Sequence, residues 1–129
     1  REIYELVLEA HDRAAEATKP GVTVFDLRKI VYGVFEDSSL RDSKGESLGQ
    51  YFIHGLGHPL GLDAHDPGAD ETPLEPGMVI TNEPGIYLPD EELGVRIEND
   101  FLITDDGAEN LSEDLPTKAD DIEALMRGD

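Results

Sequence analysis

The stretch His54-Gly55-Leu56-Gly57-His58-Pro59-Leu60-Gly61-Leu62-Asp63-Ala64-His65-Asp66 holds three of the chain's four histidines. His54 and His58 stand four residues apart, a spacing that on a helix would bring both rings to one face, as in a zinc-protease helix. Glycine at 55, 57 and 61 and proline at 59 argue against a helix. Position 55 also lacks the glutamate that such a protease helix uses as its base. The stretch therefore reads as a glycine-rich loop after a strand, where backbone can approach a bound group closely and each histidine is aimed independently. One histidine alone is weak evidence for a site, but three within one short loop reverse that weighting.

Outward from this loop, the upstream half is helical in pattern and the downstream half is strand-like. Ile3, Leu6, Val7, Ala10 and Ala14 recur at helical spacing until Lys19-Pro20-Gly21 stops the run. A second helix starts at Thr23, carries Leu27, Ile30, Val31 and Val34 on one face, and has Asp26 placed to complete a weak capping box. Residues 37–49 are polar and turn-rich, a loop by composition. Short apolar runs follow at Tyr51 to Ile53, Met78 to Thr81, Ile86 to Leu88, Val95 to Ile97 and Phe101 to Thr104, each with β-branched or aromatic content. Thr117 to Met126 reads as a closing helix with Ile122, Leu125 and Met126 apolar. The expected class is α+β, with helices on one face of a mostly antiparallel sheet.

Two isolated carboxylates lie at or near the ends of apolar strands, Glu83 in Thr81-Asn82-Glu83-Pro84-Gly85 and Glu98 in Val95-Arg96-Ile97-Glu98-Asn99-Asp100. An ionised carboxylate buried there needs a cation or several hydrogen-bond donors. With His58 they would make a mixed nitrogen and oxygen site for a divalent metal. The alternative is a pair of rim carboxylates, or a Glu98–Arg96 ion pair. Arg96 and Glu98 alternate with Val95 and Ile97 and so share one strand face, where Arg96 could orient Glu98 or grip a substrate carboxylate. Tyr87 reads as a strand aromatic packing at the sheet, and His11 as a histidine of a polar helical stretch.

Composition narrows the function classes. Among 129 residues, thirty acidic against ten basic side chains give a net charge of −20, which opposes binding to nucleic acid or acidic membrane surfaces. A charge this large also destabilises the compact state by self-repulsion, and suggests salt tolerance. No stretch approaches the roughly 20 apolar residues of a transmembrane helix. The absence of cysteine removes disulfides, thiolate ligands and a cysteine nucleophile, and fits a reducing, cytoplasmic setting. Any metal would be held by histidine and carboxylate.

The ordered motifs His54 to Asp66, Leu74-Glu75-Pro76-Gly77-Met78, Asn82-Glu83-Pro84-Gly85-Ile86-Tyr87 and Val95 to Asp100 resemble the C-terminal part of the pita-bread metallopeptidases, the creatinase, aminopeptidase P and prolidase family. The resemblance covers essentially residues 1–129, and the Gly107 to Ser112 run with the last helix is more similar to aminopeptidase P than to prolidase. It implies a pita-bread fragment, a curved mostly antiparallel sheet with helices packed on its outer face. It further implies that His58, Glu83 and Glu98 are metal ligands, three of five that hold two divalent ions, usually Mn2+, with Co2+ or Zn2+ possible, bridged by water or hydroxide. By the same resemblance, His54 and His65 line the proline pocket and steady the tetrahedral intermediate. Arg96 lies beside the substrate, and Glu83 also handles the proton of the bridging water.

The family's other two ligands are aspartates on strands that precede this stretch, so the chain reads as the C-terminal half of a catalytic domain, inactive alone and a homo-oligomer when full length. The implied activity is an Xaa-Pro aminopeptidase acting on proline-containing peptides. A prolidase restricted to dipeptides and a non-catalytic peptide-binding or protein-binding module are the alternatives. If the ligand set is right, a His58 ring nitrogen and oxygens of Glu83 and Glu98 converge within roughly 5 Å of a common point.

Overall fold

A computed structural model describes residues 1–128. In chain order it contains α1 (Glu2–Ala17), α2 (Val24–Asp37), a 3-10 turn (Gly49–Tyr51), β1 (Val79–Asn82), β2 (Gly85–Leu88), a second 3-10 turn (Pro89–Glu91), β3 (Leu93–Arg96), β4 (Asn99–Ile103), β5 (Ala108–Asn110) and α3 (Ala119–Arg127). The first two helices form where the apolar spacing places them. Thr23 caps α2 through a reciprocal box, its hydroxyl accepting from the Asp26 amide at 3.0 Å while Asp26 faces the Thr23 amide. Leu6, Val7, Ala10 and Ala14 of α1 meet Leu27, Val31 and Phe35 of α2, and both rows pack on Ile80, Ile86, Phe101 and Ile103 of the strands. Each large side chain buried in that seam contributes about 1.5–3 kcal/mol. His11 belongs to the same inward face and is buried against the Phe101 ring, contrary to the reading of a polar stretch, because its position completes the stripe of residues 7, 10 and 14.

The strands pair antiparallel throughout, in a ladder β1-β4-β5 and a hairpin β2-β3. These are two halves of one ribbon. Asn82 pairs with Asn99 and Gly85 with Arg96, so the register is kept across the gap and sets Glu83 opposite Glu98 and Pro84 opposite Ile97. Proline has no amide proton to give the ladder, and the only bond crossing there runs from the Ile97 amide to the Pro84 carbonyl at 3.3 Å.

One strand expectation is corrected, one strand is added, and the closing helix is borne out. Tyr51 to Ile53 is no strand, because the Tyr51 hydroxyl is drawn to Asp42 at 2.6 Å and the Phe52 amide turns back to the Gly49 carbonyl, which seats the Phe52 ring edge-on against Phe35. Ala108–Asn110 adds a strand that its weak β propensity did not signal. The closing helix forms, but it buries no residue, and Leu125 and Met126 are exposed. It is held to α1 by Arg1, which bonds Asp120 at 2.6 Å and Glu123 at 3.1 Å, and by the Tyr4 hydroxyl on the Thr117 carbonyl. Among the described residues no helix is long and apolar enough to cross a membrane.

Candidate metal centre

The glycine-rich loop is not free. It runs beside β1 as an irregular edge: the Glu83 amide donates to the Leu56 carbonyl, the Thr81 amide to the His58 carbonyl and the Leu60 amide to the Val79 carbonyl, at 2.8–3.0 Å. Gly57 makes this approach possible, since a β-carbon there would lie 1.9 Å from the Thr81 carbonyl oxygen. Loop and strand are then stitched by one side chain. The buried Thr81 hydroxyl accepts from the His58 amide and donates to Glu83 Oε1, both at 3.0 Å.

The result brings His58, Glu83 and Glu98 together, with one ligand atom of each inside 4.8 Å of the others. His58 Nδ1 lies 2.9 Å from the Pro59 carbonyl, which can only accept, so Nδ1 carries the proton and a neutral ring leaves Nε2 bare. That bare nitrogen sits 3.4 Å from Glu83 Oε1. Two lone-pair-bearing atoms face each other there, with a second carboxylate directly across the ribbon. With the ring neutral, such a set is stabilised by a cation, and one imidazole with two carboxylates is a donor set that a divalent metal accepts. The carbonyl-anchored Nδ1 is the outer support that metal-binding histidines usually have.

Arg96 supplies part of the countercharge, 3.2 Å from Glu98 Oε2 and 3.9 Å from Glu83 Oε2. Its side chain is 50% exposed, against 14% for Glu83, so the Arg96 pairing is screened and the Glu83 carboxylate is the group most in need of a partner. The His65 ring lies 4.2 Å from that of His58 at the exposed rim of a cleft of about 380 Å³, which Glu83, Arg96, Glu98 and Asp100 also line. The cleft lining does not include His54. Its Nδ1 bonds the Gly55 carbonyl at 2.7 Å and its Nε2 the Tyr87 hydroxyl at 2.8 Å, so both ring nitrogens are engaged. Sequence reasoning missed Thr81 and Tyr87. Thr81 carried no signal beyond its place two residues before Glu83, and Tyr87 looked like any strand aromatic.

The model of metallopeptidase family M24 matches residues 1–105. The chain belongs to that family. This M24 chain is 48% identical to the Xaa-Pro dipeptidase of Pyrococcus furiosus over 88% of its own length and 31% of the relative's. It is 40% identical to the Xaa-Pro aminopeptidase of Escherichia coli over 98% of its length and 34% of the relative's. The structure of aminopeptidase P from E. coli with the inhibitor Pro-Leu superposes with a TM-score of 0.85 at 34% identity, covering 99% of this chain and 34% of that one. The M24 chain thus has the pita-bread fold of these proteins and spans about a third of the length of the relatives it matches.

Proposed function

We propose that the protein carrying this sequence is a metal-dependent Xaa-Pro aminopeptidase, and that His58, Glu83 and Glu98 are its metal ligands. The observation that carries the reading is the cross-strand pair of carboxylates facing a bare imidazole nitrogen, with Nε2 and Oε1 only 3.4 Å apart. A bound divalent ion, Mn2+ in this proposal, would polarise a scissile carbonyl and acidify water. Three donors suffice for one ion with coordination positions left open, so a second ion would draw on ligands outside these residues. Within the chain, Glu83 is held by the Thr81 hydroxyl in a largely buried position and is the group placed to move a proton. Arg96, beside both carboxylates and half exposed, is placed to bind a carbonyl or carboxylate of a peptide. His65, exposed and part of the same cleft lining, is the second histidine a bound peptide would meet.

The aminopeptidase reading is favoured over prolidase by coverage, since likeness to the E. coli aminopeptidase continues through the last helix. Prolidase stays the second reading because identity to the Pyrococcus dipeptidase is higher over the shared part. Substrate length separates them. The complete polypeptide with Mn2+ is expected to release the first residue from Xaa-Pro tripeptides and longer peptides. Cleavage of Xaa-Pro dipeptides alone would reverse the assignment, and no cleavage of either would leave only the binding-module alternative.

A further inference from the structure

His54 and His58 begin alike. Each donates Nδ1–H to the carbonyl of the next residue, Gly55 at 2.7 Å and Pro59 at 2.9 Å, so each neutral ring is forced to leave Nε2 unprotonated. Their surroundings then diverge. His58 Nε2 faces a carboxylate, whereas His54 Nε2 faces the hydroxyl of Tyr87 at 2.8 Å, a group that can donate.

We infer that Tyr87 is a positioning residue, whose hydroxyl proton locks His54 as the Nδ1–H tautomer and fixes its ring against the β2–β3 hairpin. The hairpin is shaped for that phenol. Tyr87 pairs with Gly94, where a β-carbon would come within 3.2 Å of the ring, and its hydroxyl lies over Gly85, where a β-carbon would stand 2.9 Å away. The His54 ring is also gripped edge-on between the rings of Phe52 and Tyr87, at 5.3 Å and 5.4 Å. Arg28 closes the cage, bonding the His54 carbonyl and lying over Phe52 at 5.2 Å.

The lock has a chemical consequence. With both nitrogens engaged, the imidazole has no free N–H, and any ligand group that bonds Nε2 has to displace the phenol proton first. The geometry stands without a metal; its bearing on peptide binding rests on the proposed hydrolase.

Two-bond nitrogen–proton NMR spectra of this chain, free of metal and peptide and at a pH where the ring is neutral, read the tautomer directly. His54 is expected as Nδ1–H with Nε2 bare. Tyr87→Phe keeps the ring and removes the donor, and should shift the tautomer ratio about fivefold or more toward Nε2–H, the loss of one neutral hydrogen bond. Gly94→Ala, which crowds the ring but leaves the hydroxyl, should move the ratio the same way. An Nε2–H imidazole at position 54 in the unaltered chain overturns the inference, and so does an unchanged ratio in a folded Tyr87→Phe chain. A role confined to packing would lower the melting temperature without touching the tautomer. Since no turnover is read, failure of the hydrolase proposal and failure of the lock are separate results.

Discussion

Glu83 and Glu98 face each other across an antiparallel ribbon, where like charges directly opposite are destabilising by a few tenths of a kcal/mol to about 1 kcal/mol. Arg96 beside both and the Thr81 hydroxyl on Glu83 offset part of that cost, and the proposed cation would offset the rest. Glu83→Gln keeps the carbonyl that accepts from Thr81 and removes the repulsion. With chelator present the variant is expected to be as stable as the parent or more so, by up to about 1 kcal/mol. With Mn2+ at 100 times its dissociation constant the parent should gain about 2.7 kcal/mol in urea unfolding, and the variant should lose most of that gain. An equal gain in both would remove Glu83 from the ligand set. Asp42 offers a contrast away from the site. The Tyr51 hydroxyl and then the Glu46 amide hold its carboxyl below the usual range. A depressed folded value contributes stability above the unfolded one and loses it as pH falls through the folded one. Unfolding measured below about pH 4 should therefore show a shallower acid loss for Asp42→Asn than for the parent. The isolated acids were legible in the sequence because a charge amid apolar residues stands out. Thr81 and Tyr87 were not, because a hydroxyl's partner 23 or 33 residues away leaves no trace in periodicity.

At the scale of elements, the two long helices could be read from apolar spacing and a cap, since both signals are local. Strand boundaries could not. Tyr51 to Ile53 has strand-like residues but obeys a tertiary demand, the burial of Phe52, while Ala108–Asn110 is recruited as an edge by β4 despite its composition. The continuous register across Pro84, which sets the two glutamates opposite each other, is likewise a property of the pair of strands and of neither alone. The 54–66 segment was readable as a loop, yet its fastening along β1 depends on Gly57. Gly57→Ala would push a methyl group into the Thr81 carbonyl, which is backbone and cannot yield. A loss of about 1–3 kcal/mol in denaturant unfolding is expected, together with weaker Mn2+ binding because His58 moves with the loop. Gly61→Ala meets only the Asp66 side chain, which can rotate away, and should be much milder.

Across the whole molecule, the net charge of −20 dominates. At 1 M salt the screening length falls to about 3 Å, short enough to suppress repulsion between most surface acids. The melting temperature is expected to rise between dilute buffer and molar KCl; a flat or falling curve would show that the charge is already balanced by its distribution. The core seam of α1, α2 and the strands is apolar apart from His11, so screening of surface acids leaves its packing unchanged.

The last helix answers differently. Among the described residues, the polar contacts that tie it to the body are the exposed Arg1 side chain reaching Asp120 and Glu123 and the Tyr4 hydroxyl on the Thr117 carbonyl, and no residue of the helix is buried. Brine that quiets the body loosens this clasp, so amide exchange over Ala119–Arg127 should quicken in the same KCl series that slows it in α1 and α2. One molecule would then tighten at its centre and fray at its hem, and a protease would find its first cut in the stretch just ahead of Lys118.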